Sequence, residues 1–308
     1  MSEDGERTPD GRVPDERLLV GRYRLIEHIG PGGPGTDPGS PGKGTAPATV
    51  WRALDESTQR YVAVKRPLPP GDPDDEEHQR TAHRLHREAR AAARVEHPAA
   101  VRIHDVVFED GLPWIVMEFV PGESLRTLLT RGPLPAPEAA RVGLAVLGAL
   151  RAAHSVGIVH RDVKPANVLL EAGTGRVVLT DFGIGHVHGG VDSSGDPGFV
   201  APERGAEPGA GPASDLWSLG ALLRAAVEGG PGEHSTGLRT LITRLLAPEP
   251  ADRPDAEEVA AALAAIAETA DTTESVEGSR GTEGSEDSED SEGPGNARPA
   301  LTATPTTP

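Results

Sequence analysis

The sequence contains no cysteine. That absence removes disulfide staples, thiolate zinc sites and a cysteine nucleophile from consideration, and it leaves the redox compartment unread. Nor is there an apolar run of about 18 residues, the length a membrane-spanning helix needs. The first residues, MSEDGERTPDGRVPDER, are charged and polar and lack the apolar stretch of a signal peptide, so a cytoplasmic chain is expected. Positive charge is in deficit, with 30 Lys and Arg against 48 Asp and Glu and a net charge of −18. So negative a surface repels a phosphate backbone, which argues against a nucleic-acid partner. It also requires that any phosphate site be made positive locally. No repeat at a fixed period is evident.

What is present falls into three parts. The stretch 272–293, TTESVEGSRGTEGSEDSEDSEG, has almost no apolar residue, and the residues after it are rich in Pro, Thr and Ala. Such composition cannot bury enough surface to order itself, so 270–308 is expected to be a disordered tail, as is 1–20. The middle, 21–269, runs strands first and helices later. RYRLIEHI, TVWRALD and YVAVKRP are short β-branched or aromatic runs between Gly, Pro and Asp turns, and VRIHDVVFE and LPWIVMEF are joined by Asp110-Gly111. Between these groups lies 76–96, rich in Ala, Arg and Glu, which predicts a helix that Pro98 ends. Apolar residues at helical spacing predict further helices over 137–155, 215–228, 238–246 and 255–268. The fold class is therefore α+β and bilobal. A small antiparallel β lobe with one helix occupies 21–120, and a larger, mainly α lobe occupies 121–269.

Chemistry concentrates in three strings: VAVK at 62–65, HRDVKPANVLL at 160–170 and DFG at 181–183. Each alone is weak, but their order and spacing together are not accidental. On these residues the sequence resembles the protein kinase family. Within it the likeness is to bacterial eukaryotic-like (Hanks-type) serine/threonine kinases, through AVKRP, HPAAVRIHDV, IVMEFVPGESL and ADRP.

The resemblance implies ATP as phosphoryl donor, Mg²⁺ or Mn²⁺ as its metal, and protein serines and threonines as acceptors, with transient self-association for autophosphorylation. It implies Asp162 as the group that takes or orients the hydroxyl proton, and Lys164 as a point charge on the γ-phosphate. Asn167 and Asp181 become the metal ligands, with the hard oxygens magnesium requires. Lys65 would meet the α/β-phosphates and be oriented by Glu88 on the first-lobe helix. The glycine-rich loop would supply Ile29, Gly30, Gly32, Gly33 and Gly35. Adenine would lie between Val50 and Ala63 above and Leu169 below, with Met117 behind and the backbone of Glu118 and Val120 at its edge. Glu203 of Ala-Pro-Glu, Asp215 and Arg253 are expected to be structural, with Arg253 pairing Glu203.

Three departures from the family pattern stand out. Residues 36–48 are inserted between the glycines and Thr49, and Pro31 and Pro34 remove backbone donors from the loop. Asp196 occupies a position where the family has threonine. The stretch 228–238 is short for a substrate-docking loop. These leave a pseudokinase or ATP-binding scaffold as the alternative, with a small-molecule phosphotransferase behind it. His78, His83 and His86 are not spaced to share one metal, and a solvated helix face is the expectation for them.

Overall fold

The computed structural model describes residues 18–29, 49–67, 69, 72, 74–184, 197–205 and 211–277. The chain divides into two units, Met1–Ala270 and Asp271–Pro308, and the architecture below, apart from residues 271–277 of the last helix, belongs to the first.

The first lobe is built from β1 (Leu18–Leu19), β2 (Tyr23–His28), β3 (Thr49–Asp55), β4 (Arg60–Arg66), α1 (Glu76–Ala92), β5 (Ile103–Glu109) and β6 (Leu112–Glu118). All six strands form one antiparallel sheet in the order β1-β2-β3-β4-β6-β5. Turn chemistry sets the register. Asp110 and Gly111 both have positive φ, 53° and 74°, the conformation a two-residue hairpin turn demands. The β3–β4 turn is held by Asp55, whose carboxylate accepts from the Ser57 amide, the Ser57 and Thr58 hydroxyls, and both Nε and Nη2 of Arg22. These donors hold the Asp55 carboxyl far below the ordinary carboxylate value, the Arg22 hydrogen bonds contributing most.

The sheet curls until its opposite edges meet. Val20 N–H donates to Glu109 Oε1 at 2.8 Å, and the Tyr23 hydroxyl reaches Asp105 Oδ2 at 3.3 Å. Inside the curl Leu19, Tyr23, Leu25, Trp51, Ala53, Val62, Val64, Trp114 and Val116 pack as one cluster. Helix α1 lies on the other face, against β5 and β6.

The second lobe follows as β7 (Gly122–Ser124), α2 (Leu125–Leu129), α3 (Ala136–Ser155), β8 (Val168–Glu171), β9 (Val177–Leu179), α4 (Pro212–Val227), α5 (Thr236–Leu245) and α6 (Ala256–Glu277). Strands β7, β8 and β9 make a small antiparallel sheet under the first lobe. Helix α4 is central, with most of its residues buried between α3 and α5. The lobes are stitched where the chain leaves α1: Val101 N–H donates to Leu179 O at 2.9 Å and Leu179 N–H to Ala99 O at 2.7 Å. His97 is seated there so closely on α3 that a Cβ at Gly148 would lie 2.7 Å from its ring, which explains glycine inside a helix.

Several boundaries differ from the sequence expectation. Leu18 and Leu19 lie in the supposed tail yet form β1, with Leu19 fully buried. Helix α1 ends at Ala92 and not at 96, because Val95 turns in to join the main core. Helix α6 runs past 268 to Glu277. The small sheet was not foreseen as strands at all. Among the described residues, no helix is long and apolar enough to cross a membrane.

Candidate active site

The loop of the HRD string, 160–167, is stretched between α3 and β8, and its anchor is a carboxylate on α4. Asp215, with no solvent exposure, accepts from the amides of His160 and Arg161, each at 2.8 Å, and contacts His154 Nε2 of α3 at 2.7 Å. The anchor is needed because Arg161 has φ of +67°, a conformation that costs a non-glycine residue strain. Asp181, at +68°, is the second strained position, and Gly183 follows at +59°. A Cβ on Gly183 would come within 2.9 Å of Val159 O, so glycine is required at that point.

Backbone and ring hydrogen bonds zip the two strained segments together. His160 Nε2 meets Thr180 O at 2.8 Å, Gly183 N–H donates to His160 O at 3.1 Å, and Thr180 N–H donates to Asn167 O at 2.8 Å. Phe182 is buried with its ring edge-on to His160, centroids 4.8 Å apart. The result brings Asp162, Lys164, Asn167 and Asp181 to one place. Lys164 Nζ lies 2.8 Å from the Asp162 carboxylate. Asn167 Nδ2 donates to Asp162 O at 2.7 Å and to Asp162 Oδ2 at 2.8 Å. The amide is thereby oriented, and its Oδ1 is the atom left to accept or ligate.

Lys65 comes down from β4. Its ammonium sits 2.7 Å from Asp181 Oδ1, while Glu88 lies 3.9 Å from Arg84, one turn earlier on α1. The expected partner of Lys65 was Glu88; in this conformation the lysine instead neutralises Asp181. Burial alone would push the Asp181 carboxyl up, but the adjacent Lys65 charge and hydrogen bond override it, and the carboxyl lies below its ordinary value. His160 is pushed down by burial, its largest influence.

The apolar residues expected around adenine belong to one cluster: Ala63, Met117 and Val120 are buried, and Val50 and Leu169 pack against it partly exposed. Val50 is opposite Lys65 across β3–β4, and Ala63 is opposite Met117 across β4–β6. The Glu118 amide is already given to Arg102 O at 2.8 Å, so of its backbone groups the carbonyl is the one that can face a base. Ile29 donates its amide to Val50 O at 2.8 Å, closing the root of the β2–β3 hairpin. Gly30, Gly32, Gly33 and Gly35, the insertion 36–48 and Asp196 lie outside the described residues.

The expected Glu203–Arg253 pair is present and bidentate, at 2.6 and 2.8 Å. The Arg253 side chain is fully buried and also donates to the carbonyls of Ala213, Ala247 and Pro248. Burial pushes the Glu203 carboxyl up and Arg253 pulls it down further, leaving it below the ordinary value. His154 was not anticipated. Its only signal in the sequence is a histidine placed on the apolar face of α3, just before the 160–167 loop.

Could this constellation hold a metal? Among the described residues no group of three or more His, Cys, Asp or Glu gathers to do so. The Asn167 amide oxygen and the Asp181 carboxylate are two hard donors, too few for a closed protein site and suited to Mg²⁺ shared with phosphate oxygens.

The chain matches the protein kinase domain family over residues 40–232, a stretch that begins downstream of Gly30 to Gly35. It is 41% identical over 227 residues to the serine/threonine-protein kinase PknK of Mycobacterium tuberculosis, an alignment covering 70% of this chain and 18% of PknK. Identity to PknA of the same organism is 35% over 253 residues, covering 77% of this chain and 54% of PknA. This chain thus spans about a fifth of one relative and about half of the other. Among solved structures, the kinase domain of Mycobacterium tuberculosis PknI is similar with a TM-score of 0.65 and 27% identity, over 83% of this chain and 100% of that one.

Proposed function

The chain belongs to the protein kinase family, in its bacterial Hanks-type serine/threonine branch, and from that premise we propose that it transfers the γ-phosphoryl group of ATP to serine and threonine hydroxyls of proteins, itself included. The observation that carries this reading is the convergence of Lys65, Asp162, Lys164, Asn167 and Asp181 from three separate segments, with Lys65 paired to Asp181 and Asp162 bonded to both Lys164 and Asn167. Phosphoryl transfer depends on positioning and charge neutralisation more than on covalent chemistry, and these residues supply both.

Asp162 is poised to take the proton as the substrate oxygen bonds to γ-phosphorus and the bond to the β,γ-bridging oxygen breaks. Lys164, on the same carboxylate, supplies positive charge beside that phosphoryl group. Mg²⁺ or Mn²⁺ bound by Asn167 and Asp181 would neutralise the phosphate oxygens. Lys65 then exchanges its Asp181 contact for the α/β-phosphates, and Glu88 becomes its orienting partner as α1 moves inward. Peptide substrates suit the second lobe because Glu203 and Arg253 fix the segment beyond the active site to the helices. Autophosphorylation implies transient pairing of two copies, and we place the enzyme in the cytoplasm, where ATP is at hand.

The test is incorporation of labelled phosphate from ATP and Mg²⁺ by the purified chain, alone and with a generic basic protein. Asp162→Asn should lose at least about a hundredfold. Nucleotide binding without incorporation by the wild type would sink the proposal and make the chain a scaffold.

A further inference from the structure

A guanidinium outside the active site joins three segments that carry nucleotide-binding groups. Arg176, the residue before β9, donates Nη2 to Glu118 Oε2 at 2.9 Å, Nη1 to Pro98 O at 3.2 Å and Nε to Glu171 Oε2 at 3.3 Å. The other oxygen of Glu118, Oε1, accepts the Arg102 amide at 3.0 Å. Both side chains of the central pair are only partly exposed, 32% for Arg176 and 21% for Glu118.

Each segment has a consequence for nucleotide. Glu118 ends β6, and its carbonyl together with Val120 forms the adenine edge. Pro98 and Arg102 belong to the loop that follows α1, the helix of Glu88. The β8–β9 hairpin has Asn167 immediately before its first strand, and Asp181 lies just past its second, so both metal-ligand candidates stand at its base while Arg176 is at its other end. One side chain therefore links the segment of the adenine edge in the first lobe to the hairpin of the metal-ligand candidates in the second, beside the backbone bonds that Leu179 makes with Ala99 and Val101.

We propose that Arg176 and Glu118 form a strap between the lobes that holds the adenine edge and the β8–β9 hairpin in nucleotide-binding register, making Arg176 a positioning residue for ATP. A bound nucleotide must touch both lobes at once, and a pre-set spacing lowers the ordering that binding requires. Loosening the strap should weaken ATP while leaving the chemical step intact, because Asp162, Lys164 and Asn167 are fixed by bonds within the second lobe.

The inference rests on the nucleotide reading above, and its test separates the two. The dissociation constant for ATP with Mg²⁺ is measured by calorimetry on the full chain, and kcat and KM by phosphate incorporation. Arg176→Ala and the near-isosteric Glu118→Gln should each raise Kd and KM for ATP by about three- to tenfold, with kcat of Arg176→Ala within about twofold. The double variant should be no weaker than either single one, since both remove the same contact. Unchanged Kd in both single variants, multiplying losses in the double, or a fall in kcat equal to the rise in Kd overturns the strap. Calorimetry needs no turnover. A wild type that binds ATP but transfers no phosphate therefore refutes the proposed function alone, and one that binds no nucleotide refutes both.

Discussion

His160 shows how completely a single side chain can be specified. A backbone amide can only donate and a carbonyl can only accept, so the contacts of Nδ1 with the Asp162 amide at 3.2 Å and of Nε2 with Thr180 O at 2.8 Å allow one tautomer of the neutral ring. Protonation would put a second N–H against the Asp162 amide in a site without solvent. Burial accordingly lowers the pKa of His160 in the folded chain, whereas the unfolded chain titrates near 6.5. As pH falls below about 6.5, the unfolded state takes up a proton that the native state resists. Stability should then drop by up to about 1.4 kcal/mol per pH unit until the folded pKa is reached. Urea unfolding at a series of pH values checks this, and in His160→Gln the acid-side slope should flatten by that amount. At the same scale, Lys65→Ala and Asp181→Ala should each abolish detectable autophosphorylation while keeping the native circular dichroism spectrum, since the groups removed act on charge and not on packing. Near wild-type turnover in either variant would overturn the assignment. Both residues stood out in the sequence as candidates, through VAVK and DFG. The contact between them did not, because sequence spacing says nothing about which of two carboxylates a lysine on another strand will meet.

Elements were legible in proportion to their length. The β2, β3, β4, β5 and β6 runs and the five longer helices carry enough residues for a period to show, whereas β1, β7, β8 and β9 have 2, 3, 4 and 3 residues and no period to read. The β2–β3 hairpin combines both situations. Its strands pair up to His28↔Trp51, and the Ile29–Val50 hydrogen bond closes the root in spite of the inserted 36–48. By loop-closure scaling, the extra length of 36–48 costs on the order of 1 kcal/mol. TDPGSPGKGTAPA holds no large apolar side chain to bury over a nucleotide. Deleting 36–48 should therefore keep kcat and lower KM for ATP. A tenfold or greater loss of kcat/KM, in the deletion or in Lys43→Ala, would show that the loop takes part in catalysis. The Glu203–Arg253 pair works between elements. Removing the glutamate by Glu203→Ala strands a fully buried guanidinium, which should cost about 3–5 kcal/mol in denaturant unfolding.

At the scale of the molecule, the two-lobe division was visible as strand-rich sequence giving way to helix-rich sequence. The curl of the first sheet was not, because the contacts that mark it, Val20 with Glu109 and Tyr23 with Asp105, join residues more than 80 positions apart. Nor was the shared core, in which Ala63 and Met117 of the first lobe cluster with Leu150 and Val168 of the second. That continuity has a consequence for stability. A nucleotide whose adenine rests on this cluster and whose phosphates meet Lys65 from one lobe and Asn167 and Asp181 from the other binds only while both lobes are folded and apposed. Binding free energy is then added in full to unfolding. At a ligand concentration of about 100 Kd the gain is about 2.7 kcal/mol, and for a folded region of this size each kcal/mol raises Tm by about 2–4 °C. ATP with Mg²⁺ should therefore raise the melting temperature by about 5–10 °C in a single cooperative transition. Asp181→Asn should reduce that shift, because a neutral amide there holds the metal and its phosphates less firmly. A transition that splits in two on adding nucleotide, with only one half moving upward, would show that ATP is held by one lobe alone.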